Sequence, residues 1–154
     1  MGANDPYSLS QTWLLEKNGR LGVLVEPQAA LCEKLRSSRK NSQVFQVACS
    51  SPEREGEGLL HIGLVDAHSA LETQTATDTK VTTLNKVLSE AGAQSIDFLS
   101  LDVEGHEIEV MRGFDFEKYR PLLILIEDNV QSLAKHCFLV HKLDNQVRRV
   151  ENPA

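Results

Sequence analysis

The chain alternates short apolar runs with segments whose apolar residues return every three or four positions, which predicts strands exchanging with amphipathic helices. "SLSQTWLLEKNGR" (8–20) sets Leu9, Trp13 and Leu14 on one face and Lys17 on another before Gly19. A helix is expected there, with Trp13 and its neighbouring leucines in the core. "LGVLVEP" (21–27) reads as a short strand closing on Glu26, and "PQAALCEKLRSSRK" (27–40) as a helix whose basic residues gather at the end favoured by its dipole. "SQVFQVACSS" (42–51) has the character of one strand, "PEREGEG" (52–58) of a charged turn, and "LLHIGLV" (59–65) of another strand. The polar stretch "DAHSALETQTATDTK" (66–80) is expected to be a surface loop.

"VTTLNKVLSEAG" (81–92) places Leu84, Val87, Leu88 and Ala91 at helical spacing between a threonine cap and Gly92. "SIDFLSLD" (95–102) predicts a strand and "EGHEIEVMRG" (104–113) a helix with Ile108 and either Val110 or Met111 turned inward. "RPLLILIEDN" (120–129) is the most apolar strand, as expected for one covered on both faces. "CFLVHKLDNQVRRVE" (137–151) reads as two strands joined at Asp144–Asn145. The fold class that follows is α/β, with a mostly parallel sheet finished by a C-terminal antiparallel hairpin. In such sheets ligands bind beyond the carboxyl ends of strands, and three strands here finish on acids: Glu26, Asp102 and Glu127–Asp128. All three are expected to open onto one edge.

Length and charge narrow the choices. The 154 residues suit a single domain spanning 1–154. With 16 Lys plus Arg against 22 Asp plus Glu, the net charge of -6 argues against a nucleic-acid partner. The longest apolar run, Leu122 to Ile126, is too short to cross a membrane, and no secretory signal precedes it. A soluble, cytoplasmic protein is expected. Cys32, Cys49 and Cys137 lack metal-ligand spacing and read as free thiols.

Candidate chemistry sits at the predicted strand ends. Gly2, in "MGAND", can let backbone N–H groups approach a ligand, and Glu26 follows at the spacing of a nucleotide-type site, where a carboxylate ~20 residues after a glycine turn accepts ribose hydroxyls. Asp102, His106 and Glu127 are candidates for acid and base chemistry near the same edge. Glu104 and Glu107 also suit a helix N-terminus, the preferred role for Glu107.

"GAND", "WLLEKNGRLGVLVEPQ", "TTLNKVLSEAGAQSIDFLSLDVEGHEIEVMRGF" and "PLLILIEDN" together resemble the FkbM-type family of S-adenosylmethionine-dependent methyltransferases, from Gly2 to about Val150. The most specific piece is "DFLSLDVEGHEIEVMRG". The resemblance implies a Rossmann-like class I methyltransferase sheet and methyl transfer, commonly to a hydroxyl oxygen of a small-molecule or sugar-like acceptor. It places Gly2, Ala3 and Asn4 near the methionine part of S-adenosylmethionine, Glu26 at the ribose, and Asp102 beside the sulfonium or the acceptor. His106 is the candidate base.

In that family an apolar first strand precedes the glycine turn at the centre of the sheet, whereas only Met1 stands before Gly2 here. The expectation is therefore a domain whose first central strand is missing or truncated, as a fragment or with its sheet completed by a partner chain. A homo-oligomer is compatible with this. A methyltransferase-like binding or scaffold domain without activity is the competing reading, and a nicotinamide-dependent oxidoreductase is a third that the sparse glycine turn disfavours. No resident metal is expected: "GHEIEVM" has Val110 where a zinc-protease helix needs its second histidine. Asp102, Asp128 and Asn129 offer the oxygen ligands of a magnesium site as the alternative.

Overall fold

In a computed structural model, the structure describes residues 1–8, 10–63, 74–128, 136–143 and 146–150. Helix α1 (Trp13–Lys17) leads to β1 (Gly22–Val25), α2 (Ala29–Ser38), β2 (Ser42–Phe45) and β3 (Ala48–Cys49). A 3₁₀ turn (Pro52–Arg54) then precedes the hairpin of β4 (Gly56–Gly63) and β5 (Gln74–Thr82). The rest runs α3 (Leu84–Glu90), β6 (Phe98–Leu101), α4 (Glu107–Arg112), α5 (Phe116–Tyr119), β7 (Leu123–Asp128), β8 (His136–Leu143) and β9 (Gln146–Val150).

The protein is mixed α/β with short parallel strand pairs. Where one mostly parallel sheet is expected, the described strands form three: β1–β2, β3–β5–β4 and β6–β7–β8–β9. β1 pairs with β2, β3 with β5, and β6 with β7 in parallel, whereas the β4–β5, β7–β8 and β8–β9 pairs are antiparallel. The last of these is the expected C-terminal hairpin. Its turn at 144–145 lies outside the described residues.

Local chemistry explains the elements. Thr83 caps α3 by accepting the Lys86 N–H, and Gly92 stops it at a φ of +74° that a side chain would resist. The core joins Leu84, Val87 and Leu88 of α3 to Leu99 and Leu101 of β6, Val110 of α4 and Ile124 of β7. Tyr119 is fully buried, stacks on Phe114 at 5.8 Å and donates its hydroxyl to the Asn85 carbonyl, so α5 locks onto the start of α3.

Five expectations are corrected. The first helix is only five residues long, and its buried residue is Glu16, whose carboxylate meets Arg39 at 2.6 Å. Leu14 and Leu15 lie 200° and 100° around the helix from Glu16. They are exposed rather than core, and Trp13 is half-buried. The single strand over 42–51 is split at Gln46–Val47 into β2 and β3, which join different sheets. The expected loop over 66–80 lies outside the described residues as far as 73, but 74–80 belong to β5. There Thr75, Thr77, Thr79 and Val81 alternate as β-branched residues, a strand pattern despite its polarity. Ile108 is 72% exposed, because Val110, two residues on, takes the inward face of α4. α5 was not expected: Asp115 caps its start by accepting from Glu117 and Lys118 N–H, a signal confined to one residue.

Candidate functional site

The amino-terminal turn carries the densest set of sequence-singled residues. Gly2 and Asn4 have φ of +64° and +46°, and between them Ala3 donates its N–H to the Val25 carbonyl at 3.2 Å. The turn therefore rests on the carboxyl end of β1. On its other side Gly2 abuts the strand end of β6, where a Cβ would overlap the Asp102 carbonyl oxygen. Glycine is required there twice over, by conformation and by space.

Glu26 follows β1 and is only 4% exposed. Its Oε2 accepts the Asn4 N–H and its Oε1 the Gln28 N–H, each at 3.0 Å, while its carbonyl accepts the Cys32 thiol. A buried carboxylate is thus stabilised by backbone donors. Asp102, half-buried, lines a cleft of about 960 Å³ together with Gly2, Ala3, Asn4, Ser8 and Ser10. The Met1 amino group sits among these residues. Burial pushes its pKa down, and the fields of Cys49, Asp102 and Glu26 oppose that shift.

His106 lies one turn further, as the residue preceding α4. Its Nε2 is 2.9 Å from the Ser50 hydroxyl. Ser50 is itself buried at the end of β3, held by donating its N–H to the Thr82 carbonyl. Glu107 accepts the Val103 and Gly105 N–H groups at 3.0 and 3.2 Å, closing the turn that carries Glu104 at φ +53°. That turn allows the backbone to pass from β6 into α4 within a few residues.

The structure thus brings Gly2, Ala3, Asn4, Glu26 and Asp102 together around one turn. His106 stands apart from the cleft lining, against Ser50. Sequence reasoning did not single out Ser50; the signal available was its place in "ACSS", a polar pair closing an apolar run. Parallel register sets Glu127 beside Asp102 along the sheet, since Ile126 pairs with Leu101. Asn129, the third ligand of the magnesium alternative, lies outside the described residues. Among the described residues, no group of three or more His, Cys, Asp or Glu is placed to hold a metal, and no helix is long and apolar enough to cross a membrane.

Compared with known proteins, residues 1–149 match the family model described as Methyltransferase FkbM domain. No curated protein and no solved structure matches the chain.

Proposed function

Because the chain belongs to the FkbM methyltransferase domain family, we propose that it uses S-adenosylmethionine to methylate a hydroxyl oxygen of a small-molecule or sugar-like acceptor, on a Rossmann-like class I framework. The observation that carries this reading is the Gly2–Asn4 turn, bonded to Glu26 on one side and pressed against Asp102 on the other.

The donor set fits the cofactor. Each Glu26 oxygen has one backbone donor, so each keeps a lone pair for a ribose hydroxyl. The Ala3 and Asn4 N–H groups are engaged by the Val25 carbonyl and Glu26, so this turn and the Asp102 carboxylate offer acceptors for the ammonium of the methionine end. When bound, the sulfonium supplies an electrophilic methyl group. The protein's part is to align the acceptor with it, and to receive the proton that the acceptor oxygen loses. Asp102, which lines the cleft, is the orienting carboxylate, and His106, held by Ser50 outside the cleft lining, is the base for an acceptor hydroxyl that extends beyond the cleft towards α4. The net charge of -6 favours a small neutral or cationic acceptor over nucleic acid, in a cytoplasmic setting without a membrane partner.

Titration calorimetry with S-adenosylmethionine is the test, followed by turnover of the Asp102→Ala variant. Micromolar binding and loss of turnover are expected. Absence of heat up to millimolar ligand would instead favour a methyltransferase-like scaffold domain. The observation on that side is that, among the described residues, β1 and β6 are not paired with one another and stand in separate sheets.

A further inference from the structure

Residues 1–8 and 10–12 run in neither helix nor strand, yet they bring the Asn4 N–H to Glu26 with Asn4 at a φ of +46°. A residue with a side chain keeps that left-handed conformation only where its surroundings impose it. Before Asn4 the support is the Ala3 N–H on the Val25 carbonyl. After it the chain runs from Asp5 to Thr12 as a strap, and the bonds within the strap are local. Asp5 Oδ1 accepts the Tyr7 and Ser8 N–H groups, and the Tyr7 ring meets Trp13 edge to face at 5.5 Å. Such bonds shape a strap without placing it on the domain.

Placement comes from Arg39, a buried cation at the end of α2. Its Nη1 donates to the Pro6 carbonyl at 3.2 Å and the Ser10 hydroxyl at 3.1 Å, and its Nη2 to the Thr12 hydroxyl at 3.2 Å. One side chain thus grips the strap at three points. The guanidinium is aimed by Glu16, which accepts from Arg39 Nε at 2.6 Å and is itself fixed by the Asn41 N–H and the Ser42 hydroxyl where β2 begins. From β6, the Ser100 hydroxyl adds a bond to Gln11 Oε1.

A buried ion pair is a costly way to stabilise a fold, because desolvation offsets much of its attraction. What this one supplies is position. A lysine would neutralise Glu16 as a point charge, whereas the planar guanidinium serves Glu16, Pro6, Ser10 and Thr12 at fixed angles. The ten residues of α2, ~15 Å of helix, separate Arg39 from the Glu26 end of β1. Its influence on Glu26 therefore passes through the strap.

We propose that Arg39 is a positioning residue for the cofactor: by gripping Pro6, Ser10 and Thr12 it holds Asn4 in its left-handed conformation, and so keeps the Asn4 N–H on Glu26 and the Glu26 carboxylate turned to receive the ribose. The inference rests on the reading of Glu26 as the ribose acceptor. It adds that the cofactor's grip is set from the far end of α2.

The test uses the full chain with Ser10→Ala and Thr12→Val, singly and together, which loosen the strap while leaving the Glu16–Arg39 pair in place. The Thr12 side chain makes no capping bond to α1, so its loss is felt at Arg39. In calorimetry the double variant should bind S-adenosylmethionine at least about tenfold more weakly than the unaltered protein, with the single variants between. Hydrogen exchange at the Asn4 amide should quicken by a similar factor. Thr12→Ser keeps the hydroxyl and should bind normally. Gly56→Ala, strained at φ +140° in β4 and outside the cleft lining, is the control for lost stability alone. It should lower the urea midpoint and leave both cofactor affinity and Asn4 exchange unchanged. Undiminished affinity in the double variant, or an equal loss in Gly56→Ala, would overturn the proposal. Failure of the unaltered protein to bind S-adenosylmethionine would overturn the ribose reading instead, and the Asn4 amide would still decide the role of Arg39: exchange that the strap variants do not alter refutes it.

Discussion

The Ser50 hydroxyl and His106 Nε2 stand 2.9 Å apart, tying the end of β3 to the residue that opens α4. The contact joins a strand of the β3–β5–β4 sheet to the helix that follows β6, and fixes the imidazole on one of its nitrogens. A third residue holds the pair in place. A Cβ on Gly113 would lie 2.5 Å from the Ser50 carbonyl oxygen, so only glycine lets the end of α4 pack this closely on the Ser50 backbone.

A double-mutant cycle over Ser50→Ala and His106→Ala measures that bond directly. A coupling of about 1 kcal/mol in urea unfolding is expected, the usual net worth of one partly buried hydrogen bond. Additive losses would mean that the two side chains do not interact in solution. In a methylation assay His106→Gln should lower turnover by about 10²–10⁴-fold, the span of general-base contributions. Ser50→Ala keeps the imidazole and should cost less.

Gly2→Ala should disrupt the amino-terminal turn. The new methyl would meet the Asp102 carbonyl at a backbone φ of +64°. Gly19→Ala is the control, because Gly19 has φ +83° and open space around its Cβ position. Strain alone should cost the control about 1 kcal/mol in urea unfolding. Gly2→Ala should cost more and weaken S-adenosylmethionine binding, which calorimetry reads. Matching losses for the two variants, with binding retained, would separate the turn from the cofactor.

Some of this arrangement was legible in the sequence for physical reasons. The stretch from Gly22 to Ser38 changes from an apolar run to helical spacing across Glu26 and Pro27, and the fold follows it closely. The Thr83 cap and the Gly92 stop are local signals that tertiary structure had no cause to override. Asp102 could be placed because a strand and a helix flank it within a few residues. Other features depended on partners far along the chain. Glu16 turns inward, displacing Leu14 and Leu15, because Arg39, Asn41 and Ser42 arrive 23 to 26 residues later to hold its carboxylate. Ser50 gains its meaning from His106, 56 residues on. β5 was obscured by its own composition, since threonine alternation gives strand geometry without the apolar signature usually sought.

The Glu16–Arg39 pair should set much of the acid sensitivity. Arg39 is 2% exposed and also donates to the Pro6 carbonyl and the hydroxyls of Ser10 and Thr12, so it ties the amino-terminal segment to the end of α2. Burial pushes the Glu16 carboxyl up, but hydrogen bonds from Ser42, Arg39 and the Asn41 N–H together hold it below its ordinary 4.5. A depressed carboxyl contributes stability above its unfolded value, and that contribution disappears as pH falls through the folded one. Urea midpoints should therefore drop below pH 4.5, and less steeply in Glu16→Gln. Arg39→Ala, which leaves a buried carboxylate alone, should cost about 3–5 kcal/mol at neutral pH. A loss below 1 kcal/mol would show the network to be dispensable.

Cys49 provides a prediction of opposite sign. Its thiol is buried in the core at the end of β3, and burial pushes its pKa up from 9.0 to about 12, against a small opposing pull from the Met1 amino group. Because the thiolate is the reactive species, native Cys49 should alkylate at least about tenfold more slowly at alkaline pH than the same residue in urea. Peptide mapping after iodoacetamide treatment distinguishes it from the other cysteines. The linkage runs the other way from Glu16: an acid whose folded pKa is raised adds stability below its unfolded value, and that contribution is lost as pH climbs from 9.0 through about 12. Cys49→Ala should therefore flatten the alkaline end of the stability profile while leaving the acid end unchanged. Rapid native labelling of Cys49 would instead mean that the core beneath the amino-terminal turn opens often enough to admit solvent, and the support this turn draws from β1 and β6 would then be transient.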